Sequence, residues 1–133
     1  EHLIYASAEK NQPMTLDAFK DIYKKLLKEY FGENTTLDDY LSLECFRIPH
    51  FYFSFYVYKY ATGISAAYAL ADIVSEGGAT ELNNYLNFLK GGGSKYPIDL
   101  LKDAGVDMTS PEPVRTALKN FSTLVNQLET LTN

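Results

Sequence analysis

His50 is followed by seven aromatic residues within ten positions, namely Phe51, Tyr52, Phe53, Phe55, Tyr56, Tyr58 and Tyr60. An imidazole beside several phenol hydroxyls is a set of hydrogen-bonding groups that can line a cleft and hold a polar ligand. If instead the hydroxyls are buried in a core, each must find a partner or cost roughly 1–3 kcal/mol. Tyr52, Tyr56 and Tyr60 recur at a spacing of four, which on a helix makes one stripe and puts Tyr56 beside both of the others, with Tyr58 rotated well away. Aromatic stripes of this kind also serve as core, and the residues alone leave core and lined cleft both open.

Other candidate chemistry is weaker. Cys45 and His50 are the types of a nucleophile and its base, but no third group orients them and Pro49 interrupts the chain between them. A structural thiol is the better reading of Cys45. His2, His50, Cys45 and the carboxylates are scattered, with neither an HExxH pattern nor paired cysteines, so no zinc site is expected within this chain. Gly91-Gly92-Gly93-Ser94-Lys95 is superficially a phosphate loop, yet it lacks the full GxxxxGK pattern and no strand precedes it. It reads as a flexible helix connection whose glycines would permit close approach of a peptide.

The elements that must position these residues are all helical. Leu3, Ile4 and Ala8 mark the end of a helix at about Lys10, and Asn11-Gln12-Pro13 breaks it. Thr15 reads as the N-cap of an amphipathic helix carrying Leu16, Phe19, Ile22, Tyr23, Leu26, Leu27 and Tyr30, stopped at Gly32. A short helix is expected to about Glu44. Pro49 suits the first position of a long helix toward Ser75, and since residues advance about 100° each, the aromatic run requires that helix to be enclosed on most sides.

Gly63, Ser65, Ala66, Ala67, Ala69 and Ala71 slim the second half of that helix for the close approach of a neighbour. Gly77-Gly78 ends it, Thr80 is placed to cap the next helix, Pro97 to Gly105 bounds a short one, and Ser110-Pro111 starts the last, with Val114, Leu118, Phe121, Leu124, Val125 and Leu128 as its apolar stripe. No alternating stretch demands a sheet. The expected fold is all-α, a helical bundle in a single domain or fragment spanning residues 1–133.

Composition narrows the function. The chain is 46% hydrophobic, enough for a core, and its net charge of -5 argues against a nucleic-acid partner. The basic run from Lys24 to Lys28 is a solvated helix face. Lys59 interrupts the richest apolar stretch, so no membrane span is expected. A single cysteine excludes an internal disulfide framework and fits a reducing, cytoplasmic compartment. The chain opens at Glu1 without a methionine or a visible signal peptide, and reads as a piece of something longer, whose apolar surfaces would then favour self-association.

Three blocks carry a resemblance. Arg47-Ile48-Pro49-His50-Phe51-Tyr52 continuing through Phe55-Tyr56-Val57-Tyr58-Lys59-Tyr60-Ala61-Thr62-Gly63 closely resembles the carboxy-terminal region of the oligoendopeptidase F family. Tyr85 to Ser94, and Tyr96-Pro97 through Ala104-Gly105-Val106-Asp107-Met108 to Ser110-Pro111, look like the tail of the same family. The resemblance runs in order over essentially the whole chain. It implies a helical zinc metallopeptidase, related to thimet oligopeptidase, that cleaves short peptides inside a deep channel.

The zinc ligands of that family, an HExxH helix and a later glutamate, are not in this chain, so the resemblance implies that zinc is bound by an upstream part of the same catalytic domain. This chain would supply the opposite channel wall and be inactive alone. His50 aligns with a histidine facing the scissile peptide and Tyr60 with a tyrosine that donates to the developing oxyanion, while Tyr52, Tyr56 and Tyr58 are substrate-lining candidates. Phe53 departs from the pattern, since that position is often tyrosine in relatives. The alternative from another class is a non-catalytic helical module that binds a peptide or a partner helix in an aromatic groove.

Overall fold

The computed structural model describes residues 1–132 and forms two compact units, Glu1–Tyr58 and Lys59–Asn133. Every regular element among the described residues is helical: α1 (His2–Glu9), α2 (Leu16–Phe31), α3 (Glu44–Arg47), α4 (Tyr58–Glu76), α5 (Ala79–Gly91), α6 (Pro97–Asp103) and α7 (Glu112–Thr132), with 3-10 turns at Asp39–Leu43 and Pro49–Tyr52. The all-α expectation is met.

In the first unit the local signals act where the sequence puts them. Thr15 Oγ1 accepts the Ala18 N–H at 3.2 Å and starts α2. Gly32, at φ 76°, closes α2 by donating its N–H to the Lys28 carbonyl. The short helix expected before Glu44 is a 3-10 turn, opened by Asp38, which accepts the Tyr40 N–H, and followed directly by α3. Asp39 of that turn pairs with Lys24 of α2. The apolar face of α2 meets aromatic rings, with Phe19 5.6 Å from Phe46 and Tyr23 edge-on to Phe51 at 6.5 Å.

The long helix expected from Pro49 does not form. Pro49 begins a helical turn as predicted, but it is a single 3-10 turn that ends at Tyr52, Phe53 is extended at φ -107°, and α4 starts only at Tyr58. A continuous helix would have spread seven aromatic rings around its circumference and needed cover on every side. The break lets the rings disperse instead: Phe51 goes to Tyr23, Phe55 to Tyr5, and Tyr52 and Phe53 stay largely exposed. Enclosure on most sides is therefore not found among the described residues.

In the second unit Ala66 and Leu70 of α4 are buried against Ala104 and Val106, which follow α6, and Ala69, Ile73, Tyr85, Phe88, Leu101 and Met108 pack around them. Small residues let these segments close, as expected, although Ala66, Ala69 and Leu70 make the approach rather than the whole slim run. Gly63, Ala67 and Ala71 instead border an open groove of about 540 Å³.

Gly105 turns the chain back into this core at φ 98°, and a Cβ there would lie 3.4 Å from Ile73 Cδ1. The cap of α5 differs from expectation. Thr80 lies within the helix, and Glu81 reaches back to accept the Gly78 N–H at 2.8 Å. Ser110 Oγ does accept the Glu112 N–H at the start of α7. Asn120 of α7 donates to Asp72 of α4 at 3.0 Å, while Leu118, Phe121, Leu124 and Leu128 of the predicted stripe are exposed.

Candidate functional site

The turn opened by Pro49 fixes His50. Ile48 before it is extended at φ -83°, ψ 107°, as the residue preceding a proline must tend to be. The His50 ring then stacks on Tyr56, with centroids 5.3 Å apart and planes 27° from parallel. Tyr56 sits at the end of a tight turn in which its own N–H donates to the Phe53 carbonyl at 3.0 Å, and the Phe53 ring lies 6.2 Å away. His50 and Tyr56 are thus brought together by a chain reversal and not by helical spacing.

Tyr52 goes elsewhere. Its hydroxyl donates to the Phe46 carbonyl at 2.9 Å, and the residue is 70% exposed. Because α4 begins only at Tyr58, the spacing-of-four stripe through Tyr52, Tyr56 and Tyr60 does not exist. Tyr58 and Tyr60 both lie in the first turn of α4, each 58% exposed and, two residues apart, on different sides of the helix.

Behind the His50 turn, Phe19, Ile22, Leu26, Cys45 and Phe51 line a largely apolar cavity of about 270 Å³. Cys45 is half-buried, its thiol donating to the Ser42 carbonyl at 3.5 Å, and burial pushes its pKa up. That makes it a protonated packing group near neutral pH, in keeping with a structural thiol. Burial also raises the Tyr23 hydroxyl, helped by the negative charge of Glu44, to which it donates across 3.5 Å. His2 is exposed on α1, at the far end of the first unit's sequence from His50. Among the described residues no group of three or more His, Cys, Asp or Glu side chains could hold a metal ion.

Comparison with known proteins gives these side chains a context. The model of Peptidase family M3 matches residues 1–120. The chain belongs to that family. Oligopeptidase PepF of Bacillus subtilis (strain 168) is 47% identical over 131 residues, covering 98% of this chain and 20% of that protein. An oligoendopeptidase F homologue of Borreliella burgdorferi is 40% identical, covering 97% of this chain and 22% of that protein. The crystal structure of oligoendopeptidase-F from Enterococcus faecium superposes with a TM-score of 0.88 at 39% identity, covering 99% of this chain and 26% of that one. The resemblance to oligoendopeptidase F is thereby shown. This family M3 chain spans about a fifth of the length of the curated relatives it matches. No helix among its described residues is long and apolar enough to cross a membrane.

Sequence reading singled out His50 and the tyrosines but missed Tyr5 and Glu1. Tyr5 packs its ring on Phe55 at 4.6 Å, and its hydroxyl donates to Ser54 Oγ at 3.0 Å. Glu1 Oε2 accepts the Val57 N–H at 3.3 Å. Both contacts cross about fifty positions of chain, and no local pattern signals them.

Proposed function

We propose that this family M3 chain is the carboxy-terminal part of the catalytic domain of a zinc-dependent oligoendopeptidase acting on short peptides. Its role there is to present hydrogen-bond donors to the substrate, with the metal held by residues of the parent protein outside this chain. His50 and Tyr60 are the donors to the reacting peptide, and Tyr52, Tyr56 and Tyr58 line the substrate path. The observation that carries the reading is the match to the Enterococcus faecium oligoendopeptidase-F structure over 99% of the chain, at an identity high enough to support more than fold. The stack of His50 on Tyr56 adds to it, because it holds the imidazole in one orientation before any substrate arrives.

The chemistry follows from charge. When a peptide carbonyl is attacked, negative charge collects on its oxygen, and donors already fixed in place stabilise that charge without reorganising. A phenol O–H and an imidazole N–H are such donors. Alone, the chain lacks the metal-holding residues and should not hydrolyse peptides. A cytoplasmic setting belongs to the same reading, supported by the single cysteine, which leaves no internal disulfide to depend on an oxidising compartment.

The test is kcat/KM of the parent protein on an internally quenched peptide, for wild type, His50→Ala and Tyr60→Phe. Loss of one oxyanion donor is expected to lower it by about 10²–10³. Wild-type kcat/KM in both variants overturns the reading and leaves these residues as packing groups.

A further inference from the structure

Phe55 occupies a backbone conformation that its type disfavours. It is the third residue of the turn Phe53–Tyr56, closed by the Tyr56 N–H to Phe53 carbonyl bond, and its φ is +50°. A turn with positive φ at this position is the one that normally takes glycine or asparagine. Among the described residues the other non-glycine with positive φ is Asn11, a type that tolerates it. Something outside the turn must hold an aromatic residue there, and such over-determined strain is concentrated at sites of function.

The holding group is α1. Tyr5 covers the Phe55 ring at 4.6 Å, with planes 31° apart, and its hydroxyl donates to the neighbouring Ser54 Oγ. One helical turn before it on the same face, Glu1 accepts the Val57 N–H through Oε2. Tyr5 of α1 and Glu1, the residue just before that helix, thus grip the segment on both sides of Tyr56, at residues 54, 55 and 57. Tyr56 in turn carries the stack on His50.

We propose that Tyr5 is a positioning residue, holding the Phe53–Val57 turn so that Tyr56 keeps the His50 imidazole in its working orientation. This rests on the reading of His50 as a substrate-facing donor. Tyr5 touches no substrate; it acts through Phe55 and Ser54 on the Tyr56 ring. If the grip fails, the turn can relax out of the positive-φ conformation, and the imidazole loses the surface that sets its direction. Misplacement of a positioned group by about 1 Å can cost up to about 10²-fold in rate.

The test uses the parent peptidase, with kcat and KM measured separately on an internally quenched peptide and thermal unfolding followed in parallel. Tyr5→Leu, which removes ring and hydroxyl, is expected to lower kcat by about 10-fold or more while KM changes little. Tyr5→Phe keeps the ring and is expected to recover most of the lost kcat. Phe55→Ala is the second variant: alanine still disfavours the positive-φ conformation, but the ring that Tyr5 covers is gone, so the turn is free to relax and kcat is again expected to fall. Wild-type kcat in Tyr5→Leu, or in Phe55→Ala should Tyr5→Leu fail to fold, overturns the proposal provided His50→Ala lowers kcat. Wild-type kcat in His50→Ala overturns the catalytic reading itself, and the positioning role with it.

Discussion

Residues 59–133 bury Ala66, Leu70, Ala104 and Val106, mostly small side chains on segments that approach closely, whereas in residues 1–58 only Ser42 is buried among the described residues. The first unit meets instead through ring contacts, Phe19 on Phe46, Tyr23 on Phe51, Tyr5 on Phe55 and His50 on Tyr56. Small residues at the buried contact let α4 and the segment after α6 approach closely, while Gly63, Ala67 and Ala71 of the same helix border an open groove. Rings that meet at edges and tilted faces leave space between them, here about 270 Å³, and leave polar tips exposed. The second mode leaves rings such as Tyr52 and Phe53 largely exposed.

This contrast can be broken by substitution. In the parent protein, Tyr60→Phe, which deletes the hydroxyl proposed as oxyanion donor, is expected to act mainly on activity, lowering kcat/KM by about 10²–10³. Leu70→Ala should do the reverse, costing about 2–5 kcal/mol of stability by chemical unfolding through the cavity it leaves, with KM of the residual folded enzyme unchanged. If Leu70→Ala unfolds no more easily than wild type, the small-residue core is not what holds the second unit. Gly105→Ala tests the same core more gently. An L-residue at φ 98° is strained by about 1–2 kcal/mol, and its methyl meets Ile73, so a lower unfolding midpoint is expected.

Two smaller effects sharpen the comparison. Cys45 of the aromatic unit, its pKa raised by burial, should react with iodoacetamide at pH 7.5 more slowly than a cysteine in an unfolded peptide, and denaturant should erase the difference. Asp107 of the compact unit has its pKa lowered to about 2 by hydrogen bonds from the Thr109 hydroxyl and N–H and then by Lys102. Its folded value lies below the unfolded one, so its contribution to stability is present above about pH 4 and is lost as pH falls toward about 2. Thr109→Val, which removes the first of these bonds, should therefore lower stability slightly at pH 7, with the difference from wild type fading as pH falls toward about 2. The carboxylate is partly exposed, so the effect is small.

Helix boundaries set by a single local device were legible: Thr15 for α2, Pro97 for α6, Ser110 for α7, and glycines at 32 and 105. Each acts within four residues, so the sequence neighbourhood contains all the physics involved. The α5 cap was misassigned by two residues because Glu81 competes with Thr80 for the role, and only geometry decides between them. The continuous helix expected from Pro49 fails on a longer scale. Aromatic residues have no strong local veto on helix, and in the folded chain Phe55 takes a positive φ that no local rule would assign it, with its ring against Tyr5, fifty positions away.

The sequence by itself determined the helical class and the family, because apolar periodicity, capping residues and long matched blocks are written in neighbouring positions. Which tyrosine accompanies His50 was decided by tertiary structure. Tyr52 turns to Phe46 and Tyr56 to His50 because a turn at Phe53–Tyr56, and not a helix, carries the chain between them. That turn is held by contacts between residues far apart in sequence, whose energies exist only once the chain has folded.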